Sequence, residues 1–165
     1  MGAEGEFALV REHLEKALDK PGQPVKRGSM AHEHDVYAML ADAAARQRDA
    51  AALRKYAPRA EALAARDEHR LYLAMAQRAW GVAHRLAGPS GYAEAEARFN
   101  RALDTFRQAG MGWQAGCTLL EIGELARERG QAAAAREAYA QALAAFESLG
   151  AVPDAERTRT ALQLV

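Results

Sequence analysis

Residues 95–110 read AEARFNRALDTFRQAG, and residues 135–150 read AREAYAQALAAFESLG. The second stretch restates the first at a distance of 40 residues, with apolar residues and a final glycine at matching places. Self-similarity at a fixed period of this length indicates an array of stacked helical or mixed supersecondary units. The matching pairs are Ala95 and Ala135, Phe99 and Tyr139, Ala102 and Ala142, Leu103 and Leu143, Phe106 and Phe146, and Gly110 and Gly150.

The composition of the chain favours helices and argues against two classes of partner. About a quarter of the residues are alanine and Ile122 is the only isoleucine, so helix formers dominate and β-branched residues are few. The formal net charge is zero, with 22 basic and 22 acidic residues. A nucleic-acid-binding surface and an anionic membrane both require a basic excess, so we expect neither as a partner.

The sequence carries no signature of export or of membrane insertion. Its single cysteine, Cys117, cannot form an internal disulfide, and a small apolar filler is a better interpretation of it than a nucleophile. No apolar run approaches the ~18 residues of a membrane span. The N-terminal MGAEGEFALVREH lacks the apolar core of a signal peptide, so the cytoplasm is the expected compartment.

Glycine and proline residues divide the chain at regular intervals, most clearly at Gly88-Pro89-Ser90-Gly91. Pro58 lies inside the third predicted helix and should kink or split it, because proline removes a hydrogen bond and clashes with the preceding turn at a cost of ~3 kcal/mol. Gly-Ser-Met at 28–30 could be a cloning junction that makes residues 1–29 foreign, although FALVREHLEKAL within them is typical of a repeat helix. The predicted helices span 5–19, 30–47, 50–66, 69–87, 92–109, 112–129, 132–149 and 153–163.

The residues that follow Ile122-Gly123 carry the most specific motif. A large and a small residue stand together in one predicted helix, and Ala135, Tyr139 and Ala142 follow in the next. This pattern resembles the tetratricopeptide repeat (TPR) family. The preceding repeat shows the motif as Trp80-Gly81, Ala95, Phe99 and Ala102 with a turn two residues longer, and residues 30–66 show it more weakly as Leu40-Ala41, Ala52 and Tyr56.

The resemblance implies an all-α fold, a right-handed α-solenoid of antiparallel helix pairs in a single domain spanning 1–165. Gly123 would let the paired helices approach closely, and Tyr139 would fill the gap toward the next pair. A 40-residue period resembles the long-repeat variety found in bacterial regulators, which implies a role in a bacterial signalling or regulatory system. About three to three and a half repeats are expected, with an N-terminal helix at 5–19, repeat units at 30–66, 69–109 and 112–149, and a capping helix at 153–163.

In this family the first helix of each pair lines a concave groove that binds the partner. Arg78 and Arg85 are seven residues apart on one stripe, and their guanidinium groups would suit a carboxylate or an acidic peptide. The alternative is that both arginines are solvated and pair with glutamates of adjacent helices. The groove positions implied by the register are Met75, Arg78, Val82, Arg85, Cys117, Leu120, Glu124, Arg127 and Glu128, with Asp35, Ala38, Asp42 and Arg46 assigned less securely from Ala41.

The sequence predicts no metal site, no cofactor and no enzymatic activity. His32 and His34 would point ~200° apart on a helix, so they cannot bind one ion together. The chain also lacks GxSxG, a phosphate-binding loop and GxGxxG. Core or interface packing is the expected role of the remaining candidates, which are His69, His84, Trp80 and Trp113.

Two functions from different classes follow from these patterns. The first is a protein–protein interaction module that binds a peptide or a protein element in the groove of the solenoid. The alternative is a structural domain that forms a homodimer or caps a larger assembly, because the C-terminal stretch 161–165 is apolar and solenoid ends require a polar cap.

Overall fold

The computed structural model describes residue 9, residues 11–16 and residues 33–165. Residues 9 and 11–16 are helical and fall inside the predicted helix 5–19, whereas the rest of that helix, His32 and the Gly-Ser-Met stretch lie outside the described residues. No strand occurs in the described ranges, which confirms the predicted all-α class. The further helices are α1 Glu33–Arg46, α2 Ala50–Arg66, α3 Arg70–Leu86, α4 Tyr92–Gln108, α5 Gly112–Glu128, α6 Ala132–Ser148 and α7 Val152–Leu162, with a short 3-10 turn at Pro89–Gly91.

The chain forms two compact units, Met1–Ala83 and His84–Val165, and the division falls within α3. In the first unit α1 packs against α2. In the second unit α4 packs against α5, α5 against α6, and α6 against α7. Following the predicted pairing, we call α1, α3, α5 and α7 the first helices and α2, α4 and α6 the second helices. The solenoid superhelix, its right-handed sense and the single-domain organisation of 1–165 stay predictions.

The helices end at intervals of 20 residues, except across the connection between α3 and α4, where the interval is two residues longer. Five of them place a residue in the left-handed backbone conformation, and the N–H of the next residue closes the helix end by donating to a carbonyl five residues earlier. The Met111 N–H, for example, donates to the Phe106 carbonyl at 2.9 Å. Three of these ends carry the glycine that the sequence predicts, but two do not. The left-handed residues are Arg48, Glu68, Gly110, Gly130 and Gly150.

The connection between α3 and α4 is the exception to this spacing. Gly88 has a positive φ of 90°, but the next residue is Pro89, which has no N–H to donate. The chain forms a 3-10 turn instead, in which the Gly91 N–H donates to the Gly88 carbonyl at 2.9 Å. This turn accounts for the two extra residues in the predicted repeat.

Helices α5 and α6 approach closely at two glycines that each lie under an aromatic ring. A Cβ atom added to Gly123 would lie 2.4 Å from Cδ1 of Tyr139, and one added to Gly116 would lie 2.8 Å from Cε1 of Phe146. Tyr139 therefore fills the space over Gly123 within its own helix pair. The family resemblance implied instead that Tyr139 fills the gap toward the next pair. Gly116 was missing from the predicted motif. The other motif residues with fully buried side chains are Ala95, Phe99, Ala102, Ala135 and Ala142, while Trp80 and Ile122 are half-buried.

Pro58 does not split its helix, so that part of the expectation was wrong. Helix α2 continues from Ala50 to Arg66 with Pro58 inside it. Pro58 and Arg54, whose carbonyl loses its intrahelical partner, are both exposed. Water can therefore satisfy this carbonyl, and packing of the opposite face maintains the helix.

Candidate functional site

The first unit contains an acid between two arginines. Asp42 of α1 accepts a hydrogen bond from Nη2 of Arg78 in α3 at 2.6 Å and another from Nε of Arg46 at 3.1 Å. Burial disfavours the ionised form of Asp42, but the charges of Arg78 and Arg46 outweigh this effect and hold its pKa below the usual value. Arg78 is only 3% exposed, so the Asp42 carboxylate supplies an opposite charge beside a buried guanidinium. We call these three residues the Asp42 cluster.

The second unit contains an arginine between acids. Arg85 is 2% exposed and donates from Nη2 to Oε2 of Glu121 at 2.9 Å and from Nη1 to Glu128, both on α5. Burial disfavours the guanidinium, but Glu121 and Glu128 outweigh this effect and raise the pKa of Arg85. The other oxygen of Glu121 lies 4.0 Å from Arg157 of α7. We call Arg85, Glu121, Glu128 and Arg157 the Arg85 cluster.

Three ion pairs in these clusters share one sequence spacing. In each of them, a residue on one first helix contacts the residue 36 positions later on the next first helix. The repeat is longer than this spacing, at 40 residues for two of the pairs and 42 residues across the longer turn between α3 and α4, so the paired residues differ by one to nearly two helical turns in their position within the repeat. The three pairs are Asp42 with Arg78, Arg85 with Glu121, and Glu121 with Arg157.

The side chain of Glu124 on α5 connects this helix to a buried aromatic residue of α6. Glu124 is 8% exposed and accepts hydrogen bonds from the hydroxyl of Tyr139 and from Nη2 of Arg127, each at 2.9 Å. Burial and then the charge of Glu124 raise the pKa of Tyr139 to about 12. The Tyr139 ring thus covers Gly123 while its hydroxyl fixes the adjacent carboxylate.

The structure places the predicted groove residues in three different environments. Both arginines of the predicted stripe are engaged with acids, as the alternative interpretation held, but they are buried rather than solvated. Glu121 and Arg157 were absent from the predicted set, although their 36-residue spacing was visible in the sequence. Arg78, Val82, Arg85, Leu120 and Glu124 are buried, Met75 and Cys117 are half-buried, and Arg127 and Glu128 are exposed.

One property distinguishes the first helices from the second helices. Every charged residue that is buried in the described ranges lies on a first helix, and these residues are Arg78, Arg85, Glu121 and Glu124. The second helices bury aromatic residues instead, which are Tyr56, Phe99, Phe106, Tyr139 and Phe146. The two kinds of helix therefore contribute different chemistry to the fold.

The residues considered for metal binding have other partners. The Nδ1 atom of His34 lies 2.7 Å from Oδ2 of Asp67, and the ring of His69 stacks on Tyr72 at 4.0 Å. Arg66 and then His34 hold the pKa of Asp67 well below its usual range. Across the described part of the chain, no group of three or more His, Cys, Asp or Glu residues is placed to hold a metal ion.

Comparisons add no relative from which a function could be transferred. Neither protein-family models, nor curated proteins, nor solved structures yield a match to this chain. Membership of the TPR family therefore stays a prediction based on the motif residues. Within the described residues, no helix combines the length and apolar character needed to cross a bilayer.

Proposed function

We propose that this chain is a protein–protein interaction module of the TPR-like solenoid type, in which the first helices bind a peptide or protein element. The observation that carries this proposal is the segregation of buried charge onto the first helices. Buried ion pairs add little stability compared with apolar residues of similar volume, so their retention on one set of helices favours a role in recognition.

The exposed arginines beside these clusters are the contacts we assign to the partner. Arg127 and Arg157 have 38% and 43% of their side chains exposed, and each lies next to a more deeply buried glutamate. Their guanidinium groups can therefore bind a partner's carboxylate or backbone carbonyls without breaking the clusters. Arg78 and Arg85 serve instead to hold the first helices together.

The test is capture of interacting proteins from lysate of the source organism with two matched variants. Arg127→Gln with Arg157→Gln removes two charges on first helices without placing a new acid beside Glu124 and Glu121, and Arg101→Gln with Arg107→Gln removes two exposed charges on α4. We expect a bound protein that the first variant loses and the second retains. A protein retained equally by both variants would contradict binding on the first helices. Arg78 and Arg85 are unsuitable for this test, because their substitution would destabilise the fold.

Self-association is the second candidate, and exposed apolar residues at two places favour it. Leu149 and Val152, which flank the connection between α6 and α7, are 54% and 58% exposed, and Leu164 is 70% exposed. Apart from Val152 and Pro153, the exposed residues of α7 are polar, namely Glu156, Arg157, Arg159 and Thr160. Light scattering over a range of concentrations decides this point. A dimer that is lost in Leu149→Ser with Val152→Ser, together with no captured protein, would favour self-association over the binding module.

A further inference from the structure

The outer surface of α2 is unusual among the second helices because its exposed charges all have the same sign. Four basic residues of α2 are exposed, and its one acid, Glu61, is half-buried and accepts a hydrogen bond from Gln77 at 2.9 Å. Helix α4 carries three acids with its three arginines, and α6 carries two acids with one arginine. The zero net charge of the chain therefore conceals a local basic surface. The four residues are Arg54, Lys55, Arg59 and Arg66.

Three of these cations lie along one line of the helix. Lys55, Arg59 and Arg66 have separations of four and seven residues, which bring side chains to the same face. The exposed residues next to them are small or lack a long side chain, namely Ala51, Pro58, Ala62 and Ala65. A second helix could therefore approach α2 closely while its own side chains reach the flanking cations. We call this surface the α2 basic face.

The local partners of these cations are exposed acids. Arg59 donates to Glu33 at 2.8 Å, and Arg66 donates to Asp67 at 2.6 Å. Lys55 interacts electrostatically with Glu15, and at least a quarter of each carboxylate side chain is exposed. Exposed pairs of this kind contribute about 0–1 kcal/mol. Carboxylates of a partner can therefore replace or join these acids at little cost.

We propose that the α2 basic face is a second docking surface, separate from the first-helix site, and that it binds an acidic helix of another protein. Charge complementarity identifies the occupant, because α2 exposes four cations and no anion. A membrane is less suitable, since interfacial helices insert large apolar side chains and this face exposes none. A single-stranded nucleic acid is less suitable as well, because such sites stack bases on aromatic residues, and Tyr56 of α2 is buried.

The test uses a labelled alanine-based helical peptide with glutamates at the spacing of Lys55, Arg59 and Arg66, and its glutamine counterpart. The full chain should bind the glutamate peptide in fluorescence anisotropy, and binding should weaken as added salt shortens the Debye length. The variant Lys55→Gln, Arg59→Gln, Arg66→Gln should bind at least about tenfold more weakly, because three attractive charges are lost. The matched variant Arg98→Gln, Arg101→Gln, Arg107→Gln on α4 loses the same charge and should bind within about twofold of the wild type.

Four outcomes would overturn the proposal. The first is that the wild type does not bind the glutamate peptide, and the second is that the α2 and α4 variants lose affinity for it equally. The third is that the wild type binds the glutamine peptide as tightly as the glutamate peptide. The fourth is that the wild type binds an oligothymidine or phosphatidylserine vesicles more tightly than the glutamate peptide. Far-UV circular dichroism of each variant checks that the glutamine substitutions leave the helices formed. The result is independent of the first-helix site, because Arg127 and Arg157 are unchanged in all of these proteins.

Discussion

The Asp42 cluster of the first unit and the Arg85 cluster of the second unit occupy comparable places with opposite charges. In the first, one carboxylate is shared by two arginines, and in the second, one guanidinium is shared by two glutamates. Both connect neighbouring first helices through a pair of residues 36 positions apart. A charge pair at this spacing therefore forms in both units, and the individual residues determine which helix contributes which sign.

The largest expected effect comes from removing the central arginine of the second unit. Arg85→Ala leaves Glu121 buried without its main partner, which should lower the free energy of unfolding by about 3–5 kcal/mol. Urea unfolding followed by tryptophan fluorescence measures this loss. The double variant Arg85→Met with Glu121→Met should recover most of the loss, because a buried pair replaced by apolar residues is nearly neutral. A loss below about 1 kcal/mol for Arg85→Ala would show that the cluster is solvated.

The second-largest effect is expected at the close contact between Gly123 of α5 and Tyr139 of α6, because the α1–α2 pair carries Ala41 at the position of this glycine. Gly123→Leu would drive a side chain into the ring of Tyr139 and should cost about 1–3 kcal/mol or more. The comparable position of α1 is Ala41, which is fully buried and already carries a Cβ. Gly123→Ala is therefore the sharper probe. It should destabilise the second unit in thermal unfolding although alanine is the better helix former. A higher melting temperature for Gly123→Ala would contradict the close contact with Tyr139.

The Asp42 cluster should make the first unit sensitive to acid. The pKa of Asp42 is lower in the folded state than in the unfolded chain, so its carboxylate stabilises the fold above about pH 4 and loses this effect as the pH falls through the folded-state value. We expect Asp42→Asn to be less stable near neutral pH and to show a smaller loss of stability on acidification. Urea unfolding from neutral pH to pH ~3, followed by tryptophan fluorescence, measures both. Asp104→Asn on the exposed side of α4 is the control, and an equal change in it would refute the assignment.

The smallest changes in the free energy of unfolding are expected from substitutions at two helix ends, one in each unit. Glu68 holds a positive φ of 52°, where glycine is unstrained, so Glu68→Gly should raise the free energy of unfolding by about 1 kcal/mol. Gly130 has a φ of 73°, and Gly130→Ala should lower it by a similar ~1 kcal/mol. Calorimetric melting of the two variants gives the signs. Shifts in the same direction would contradict a common helix-end conformation.

The sequence was most informative where packing requires a particular residue. Gly110, Gly130 and Gly150 end their helices as predicted, and the Ala-aromatic-Ala positions of α4 and α6 are fully buried. Arg48 and Glu68 carry no such signal, since neither residue favours the left-handed conformation that the chain imposes on it. The sequence also did not predict that α2 continues through Pro58, because tertiary packing outweighs the local cost of proline.

The candidate site was less predictable, because a periodic pattern identifies a helix face but not the neighbour that covers it. Arg78 and Arg85 are seven residues apart on α3, but their burial depends on Asp42 of α1 and on acids of α5. Glu121 belongs to no motif and becomes visible only through its 36-residue spacing. The α2 basic face was not predicted either, because the net charge of the whole chain carries no information about the charge of one helix.

The even spacing of the helix ends has a consequence for how the chain folds. Within each unit the helices pack on their neighbours in sequence, and the most distant ion pair among the described residues, Arg85 with Glu128, spans only 43 residues. Little loop-closure entropy has to be overcome before such contacts form, so the contact order is low and folding in microseconds to milliseconds is expected. A nascent chain could therefore bury each new helix as soon as it emerges, and leave few apolar surfaces exposed to aggregation while synthesis continues.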